Sequence, residues 1–235
     1  MTEKPVYHPL WLLFLLFGFV TCQERPVLPF TPSISIDDFY FQIIASADGR
    51  NLRDSIVVKV NFEDGDGDLG LNANETNPPY QLYDVVLVGG DTLQYGDNDT
   101  LPEYNCFDYE IITTTSSAGG VLVVDSDTIY VQRNPDHYNF FLTFLIKEGN
   151  EFVEYNTYER LCAGPFNGRF FILNTAGDVR PLTGILQYGF ISSFRLLFRN
   201  DIVKLRIQIQ DRQLNKSNIV ETDEFNISEI ARPPQ

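Results

Sequence analysis

Residues 202–210 read IVKLRIQIQ, which puts Val203, Leu205, Ile207 and Ile209 on one face and Lys204, Arg206, Gln208 and Gln210 on the other. A period of two is the period of a strand, and clean alternation requires a sheet with one buried and one wet face. Residues 55–62, SIVVKVNF, repeat the pattern through Ile56, Val58, Val60 and Phe62. Further strands are expected at 34–45, 84–88, 104–113, 121–131, 138–147, 151–158, 169–174, 184–191 and 218–227. Glu148-Gly149-Asn150 reads as a hairpin loop, and Asn167-Gly168 is a strong turn signal. Only SSFRLLFRND has helical spacing, with Phe194, Leu197 and Phe198 on one face and Ser192 or Ser193 as cap. The expectation is an all-β, antiparallel, immunoglobulin-like β-sandwich of about ten strands, with one short helix near 192–200.

The chain opens differently. Lys4 precedes LWLLFLLFGFVT at residues 10–21, an apolar run shorter than the roughly 20 residues a bilayer span needs. Its length suits the core of an export signal. It ends at Cys22 in FVTCQERP, which resembles a bacterial lipobox, where the signal is cut before a cysteine that then carries lipid. Phe19 stands where Leu is usual, and Thr21 where Gly, Ala or Ser is usual. The other reading is an ordinary secretory signal that leaves Cys22 an incidental thiol. The expected organisation is a signal peptide at 1–21, a lipidated Cys22 with a Pro-rich tether to residue 32, and a β-sandwich domain at 33–235. The anchor would hold the protein to the outer membrane, facing the periplasm or the surface.

Charge narrows the partners. The full chain carries 32 acidic and 17 basic residues, for a net charge of −15. From Val60 to Gln132 there are 14 Asp or Glu and no Lys or Arg, whereas from Arg160 onward 10 basic residues meet 7 acidic ones. A phosphate backbone would be repelled by the first half, so no nucleic-acid partner is expected. Such a run is either a solvated face or a cation site.

With Cys22 assigned to lipid, Cys106 and Cys162 remain as one possible disulfide, or as two buried thiols. The pair would close a loop of about 57 residues, valued at about 4 kcal/mol in the chain-entropy model.

The acidic run centres on NFEDGDGDLGLNANE, residues 61–75. Counted from Asp64, the loop compares with an EF-hand: Asp64, Asp66 and Asp68 fall at positions 1, 3 and 5, Leu71 at 8, Asn72 at 9 and Glu75 at 12. Alternating Asp on a glycine-rich chain lets carboxylates converge on one hard cation. Position 6 is Leu69 rather than Gly, a strand enters the loop, and Pro78-Pro79 blocks an exiting helix. The loop is therefore not an EF-hand but a strand-flanked Asp loop. Unrelieved carboxylates this close would repel one another, and oxygen-only ligands select Ca²⁺ over zinc or copper. The alternative is an acidic turn that stays wet. In an immunoglobulin-like sandwich the loop after the penultimate strand emerges at the same end, so Asp211, Asn215 and Asn218 of DRQLNKSN face the Asp64 loop or form a turn of their own.

An export signal ending in Cys, then VNFEDGDGDLGL, then IQIQDRQLNKSNIVET, resembles the uncharacterised outer-membrane lipoproteins of this length common in Bacteroidota. The resemblance implies an immunoglobulin-like fold at the outer membrane and no established activity. Asp54-Ser55-Ile56, Asp91-Thr92-Leu93, Asp99-Thr100-Leu101 and Asp127-Thr128-Ile129 also resemble that group's O-glycosylation motif, though such triplets arise wherever a turn feeds a strand.

Enzymatic motifs are scarce. Beyond the signal there is one histidine, His137, with no G-x-S-x-G elbow, phosphate loop or dinucleotide fingerprint. His137 reads as a turn residue. A two-carboxylate glycosidase has no motif to search for, but Asp residues crowded on one loop suit ion binding better than separated acid and base roles. The chain is thus expected to be no enzyme but a calcium-stiffened structural or protein-interaction module meeting an unknown envelope protein. The alternative is an accessory lipoprotein holding a glycan or other polymer on exposed aromatics, with Tyr80, Tyr83, Tyr95 and Tyr104 as candidates.

Overall fold

The computed structural model describes residues 27–45, 52–118 and 121–233. The expected signal peptide and the lipidation at Cys22 lie outside the described residues. The chain begins with two long strands, β1 (Ser33–Ala45) and β2 (Leu52–Asp64). An insertion follows, comprising β3 (Tyr83–Val85), β4 (Leu87–Val88), β5 (Asp91–Thr92) and the hairpin β6 (Tyr109–Ala118) and β7 (Val121–Arg133). Then come β8 (Phe140–Glu148), β9 (Glu151–Glu154), α1 (Thr157–Leu161), β10 (Leu182–Ser192) and α2 (Phe194–Leu197). The chain finishes with β11 (Val203–Ile209), β12 (Val220–Glu221) and β13 (Ala231–Arg232).

Two four-stranded sheets make the sandwich. One has the order β10-β2-β1-β13 and the other β12-β11-β8-β9. β1 and β2 pair with each other and β2 with β10 in one sheet, with β13 added parallel to β1 at its edge, while β8, the first strand after the insertion, pairs with β9 and β11, and β11 with β12, in the other. That is the immunoglobulin-like arrangement. The insertion, built on β3-β7-β6, falls between the second strand and the first strand of the facing sheet.

The alternation read from sequence is the alternation of burial. Val203, Leu205, Ile207 and Ile209 are fully buried against Ile56, Val58, Val60, Phe140 and Phe144. Each such side chain contributes about 1.5–3 kcal/mol by leaving water. Aromatic rings fill the middle: Phe144 lies 4.6 Å from Phe198 at 11° and 5.5 Å from Phe194. α2 exists to deliver those two rings into the core.

Local departures have local causes. The strand expected over 151–158 stops at Glu154, because the Asn156 side chain accepts the N–H groups of Tyr158 and Glu159 and starts α1. Asn156 and Glu159 have the spacing of a capping box, a signal overtaken by the apolar run before it. No strand forms over 169–174, yet Leu71 N–H donates to Phe170 and Leu173 N–H to Leu69, so this segment pairs with the Asp loop instead. Gly168 bridges Phe140 rather than turning a hairpin. The strand expected at 104–113 begins later, because Asn105 accepts the N–H groups of Phe107 and Asp108 and holds a turn there.

Candidate metal centre

β2 puts Ile56, Val58, Val60 and Phe62 into the core, and the same parity carries the next inward position, Asp64, with them. Its carboxylate is 0% exposed. Asp66 is 6% exposed and Asp68 half-buried, and one oxygen from each of the three lies within 4.8 Å of the others. Asp211, 2% exposed, follows β11, and Leu69 bridges it across the end of the sandwich. The structure thus brings together the two loops that the sequence placed at one end.

The cluster is short of donors: neither oxygen of Asp64, nor Oδ1 of Asp66 or Asp68, has a hydrogen-bond partner among the described residues. A buried polar atom without a partner costs about 1–3 kcal/mol, and more when charged. Burial first, then the fields of Asp66, Asp68 and Asp211, push the Asp64 carboxyl up to about 7. Burial likewise raises Asp68 and Asp211. The buried Asp64, Asp66 and Asp68 group can hold a metal ion: its donors are all carboxylate oxygens, converging and not satisfied by protein.

Neighbouring chain holds the loop in shape. Arg180 N–H donates to Asp66 O at 3.1 Å and Gly65 N–H to Pro29 O at 2.9 Å, which docks the segment preceding β1 on the loop. Gly67 and Gly70 have φ of +72° and +108°, where side chains are strained, and a Cβ there would strike the carbonyls of Arg180 and Phe171. Leu69 and Leu71 are buried as anchors.

The other residues expected in the ligand set are placed around the cluster, not in it. Glu75 is gripped by Arg212, whose Nη1 and Nη2 donate at 3.0 and 2.6 Å. Those hydrogen bonds hold its carboxyl down at about 2. Asn72 is exposed, its N–H on Glu75 and its carbonyl accepting from Arg169. The EF-hand comparison fails here because the chain turns away after Leu71 to pair with Phe170. Asn215 clamps Asp211 instead, its N–H and Nδ2 each donating to one oxygen at 2.8 Å. Asn218 pins β1 through Ile34. Gln213, not singled out in the sequence, donates to Asp66 Oδ2. No spacing rule marks it, since the contact depends on how two distant loops meet.

Elsewhere, Cys106 and Cys162 are joined as a disulfide with Cα atoms 5.3 Å apart, tying the insertion to the turn after α1. His137 donates from Nδ1 to Tyr80 O, and burial lowers its pKa. Tyr95 and Tyr104 meet edge to face at 80°, Tyr80 donates to Arg212 O, and Arg133 covers Tyr83, so these four rings form no coplanar platform. Ser55 of the first Asp-Ser/Thr triplet is buried. No family model, curated protein or solved structure matches this chain.

Proposed function

We propose that this is a lipid-anchored protein of the cell envelope whose sandwich is stiffened at its tether end by Ca²⁺ and serves a structural or protein-interaction role. The observation carrying this reading is Asp64, a fully buried carboxylate with two unpartnered oxygens, facing Asp66, Asp68 and Asp211. Asp64, Asp66 and Asp68 would ligate the ion directly, with Asp211 closing the site from the β11 loop. A hard, flexible-geometry cation suits carboxylates held on a loop. No catalytic role is assigned.

The test is thermal unfolding of the chain from Gln23 onward in EGTA and in millimolar Ca²⁺, repeated on an Asp64/Asp66/Asp68→Asn variant. An ion that binds only the folded state at 100 times its dissociation constant adds about 2.7 kcal/mol, a shift of several degrees. Absence of any shift in the unsubstituted chain would sink the reading.

A second reading, the holding of a glycan, has one observation in its favour. Tyr138, Phe141, Tyr155 and Tyr158 line a cleft of about 470 Å³ between the insertion and β8, with Glu154 and Lys216 at its edge. That volume lies within the range of about 300–1,000 Å³ common for small-ligand sites. Binding of neutral oligosaccharides, lost in Tyr138→Ala, would support it.

A further inference from the structure

The opposite end of the same sheet has the opposite character. β2 runs about 40 Å from Leu52 to Asp64 at roughly 3.3 Å per residue, so this end is remote from the Asp cluster. A cavity of about 1,090 Å³ opens there across the ends of β1, β2 and β10. In a chain of net charge −15 it is lined by Arg53, Arg195 and Arg199, with Asp54 the one carboxylate among the described residues lining it.

One of these arginines is held in position. The Asp54 side chain, 7% exposed, accepts from Arg195 Nε at 2.7 Å and from its backbone N–H at 2.8 Å, and the Phe41 ring lies under the guanidinium. Nη1 and Nη2 of Arg195 have no acceptor among the described residues, and its side chain is half-exposed. Among the described residues Arg53 and Arg199 form no ion pair either. A guanidinium fork fixed by a buried carboxylate, with its outer donors open, is pre-organised for a second carboxylate or other oxyanion.

The cavity also has apolar walls and continues into an open strand edge. Ile191 is 55% exposed and Leu196 82%. β10 ends here at Ser192 and is the outer strand of its sheet. Its eleven residues, LTGILQYGFIS, carry no charge, and among the described residues it makes backbone hydrogen bonds to β2 alone. Edge strands are commonly protected by charge, proline or a cover; β10 carries no charge or proline within its span, and no described strand pairs with its outer edge.

We propose that β10 and the arginine cavity together take up an extended acidic peptide segment of a partner protein. The segment pairs with β10 as an added strand, places aliphatic side chains on Ile191 and Leu196, and sets carboxylates on Arg195 and on the flanking Arg53 and Arg199. A free inorganic anion would leave the apolar wall and the strand edge unused. The proposal does not depend on the cation, which belongs to the other end.

The probe is a fluorescein-labelled peptide of alternating Glu and Val, titrated into the full chain, with a Lys/Val peptide and inorganic phosphate as the other arms. The expected result is saturable binding of the Glu/Val peptide only, weakened at least about ten-fold in Arg53→Gln/Arg199→Gln. Both residues lie on the surface, outside the Asp54 pair, so this variant keeps the melting temperature of the parent. Amide exchange along 183–191 should slow when the peptide binds. Equal binding of the Lys/Val peptide, binding of phosphate alone, unchanged exchange in β10, or no binding at about millimolar peptide would each overturn the proposal.

Discussion

Asp64 continues the inward-facing row of β2, where a chain built only for stability would carry an apolar side chain. Burying that carboxylate beside Asp66 and Asp68 makes the ion-free protein less stable than it could be. Asp64→Asn is therefore expected to melt a few degrees above the parent in EGTA and below it in saturating Ca²⁺. A crossover in paired melting curves is the readout. Glu75 behaves in the reverse sense. Arg212 holds its folded pKa at about 2, below the 4.5 of a free glutamate, so its contribution is present above pH 4.5 and fades as pH falls through about 2. Urea unfolding of Glu75→Gln should show a deficit at pH 7 that shrinks below pH 4. The three Asp residues were legible because their types and spacing state their chemistry. The removal of Glu75 and Asn72 from the ligand set was not, because it follows from Arg212 and Arg169, 137 and 94 residues away from Glu75 in the chain.

At the scale of elements, period two carried most of the reading. β1, β7, β8, β10 and β11 stand within two residues of their expected limits, and β2 runs three residues further at its start, since each buries one face and leaves the other in contact with water or a partner. Elements set by a single polar side chain were harder. α1 depends on Asn156, and Asn156→Ala should lower stability by about 1 kcal/mol, read as a shifted urea midpoint with unchanged slope. The Cys106–Cys162 link joins two elements that have no sheet in common. Its removal in Cys106→Ala/Cys162→Ala is expected to cost about 2–4 kcal/mol and to speed amide exchange in 105–110 and 158–163 before the β8–β11 core.

For the molecule as a whole, the Asp64 cluster and the arginine-lined cavity stand at opposite ends of one sandwich. The sequence showed charge only as a bias along the chain, because the fold is what turns position in sequence into position in space. Arg53 lies next to the acidic half in sequence, yet it joins Arg195 and Arg199 because β10 pairs antiparallel to β2. If the ion stiffens one end only, EGTA should raise exchange in 64–71 and 211–217 while the central strands keep theirs. Uniform loosening would instead mark the ion as a condition of folding.

The register of β1 on β2 carries one more consequence. β1 enters the sandwich at Ser33, opposite Glu63, and the far end of the pair is Ala45 opposite Leu52. A load between Ser33 and the far end of β2 acts along both strands, in shear. All of their rungs would then have to give way together instead of opening one by one, as they would if peeled from a single end. Optical-tweezer extension between Ser33 and Leu52 handles, compared with Ser33 and Glu63 handles, should register a much higher rupture force for the first.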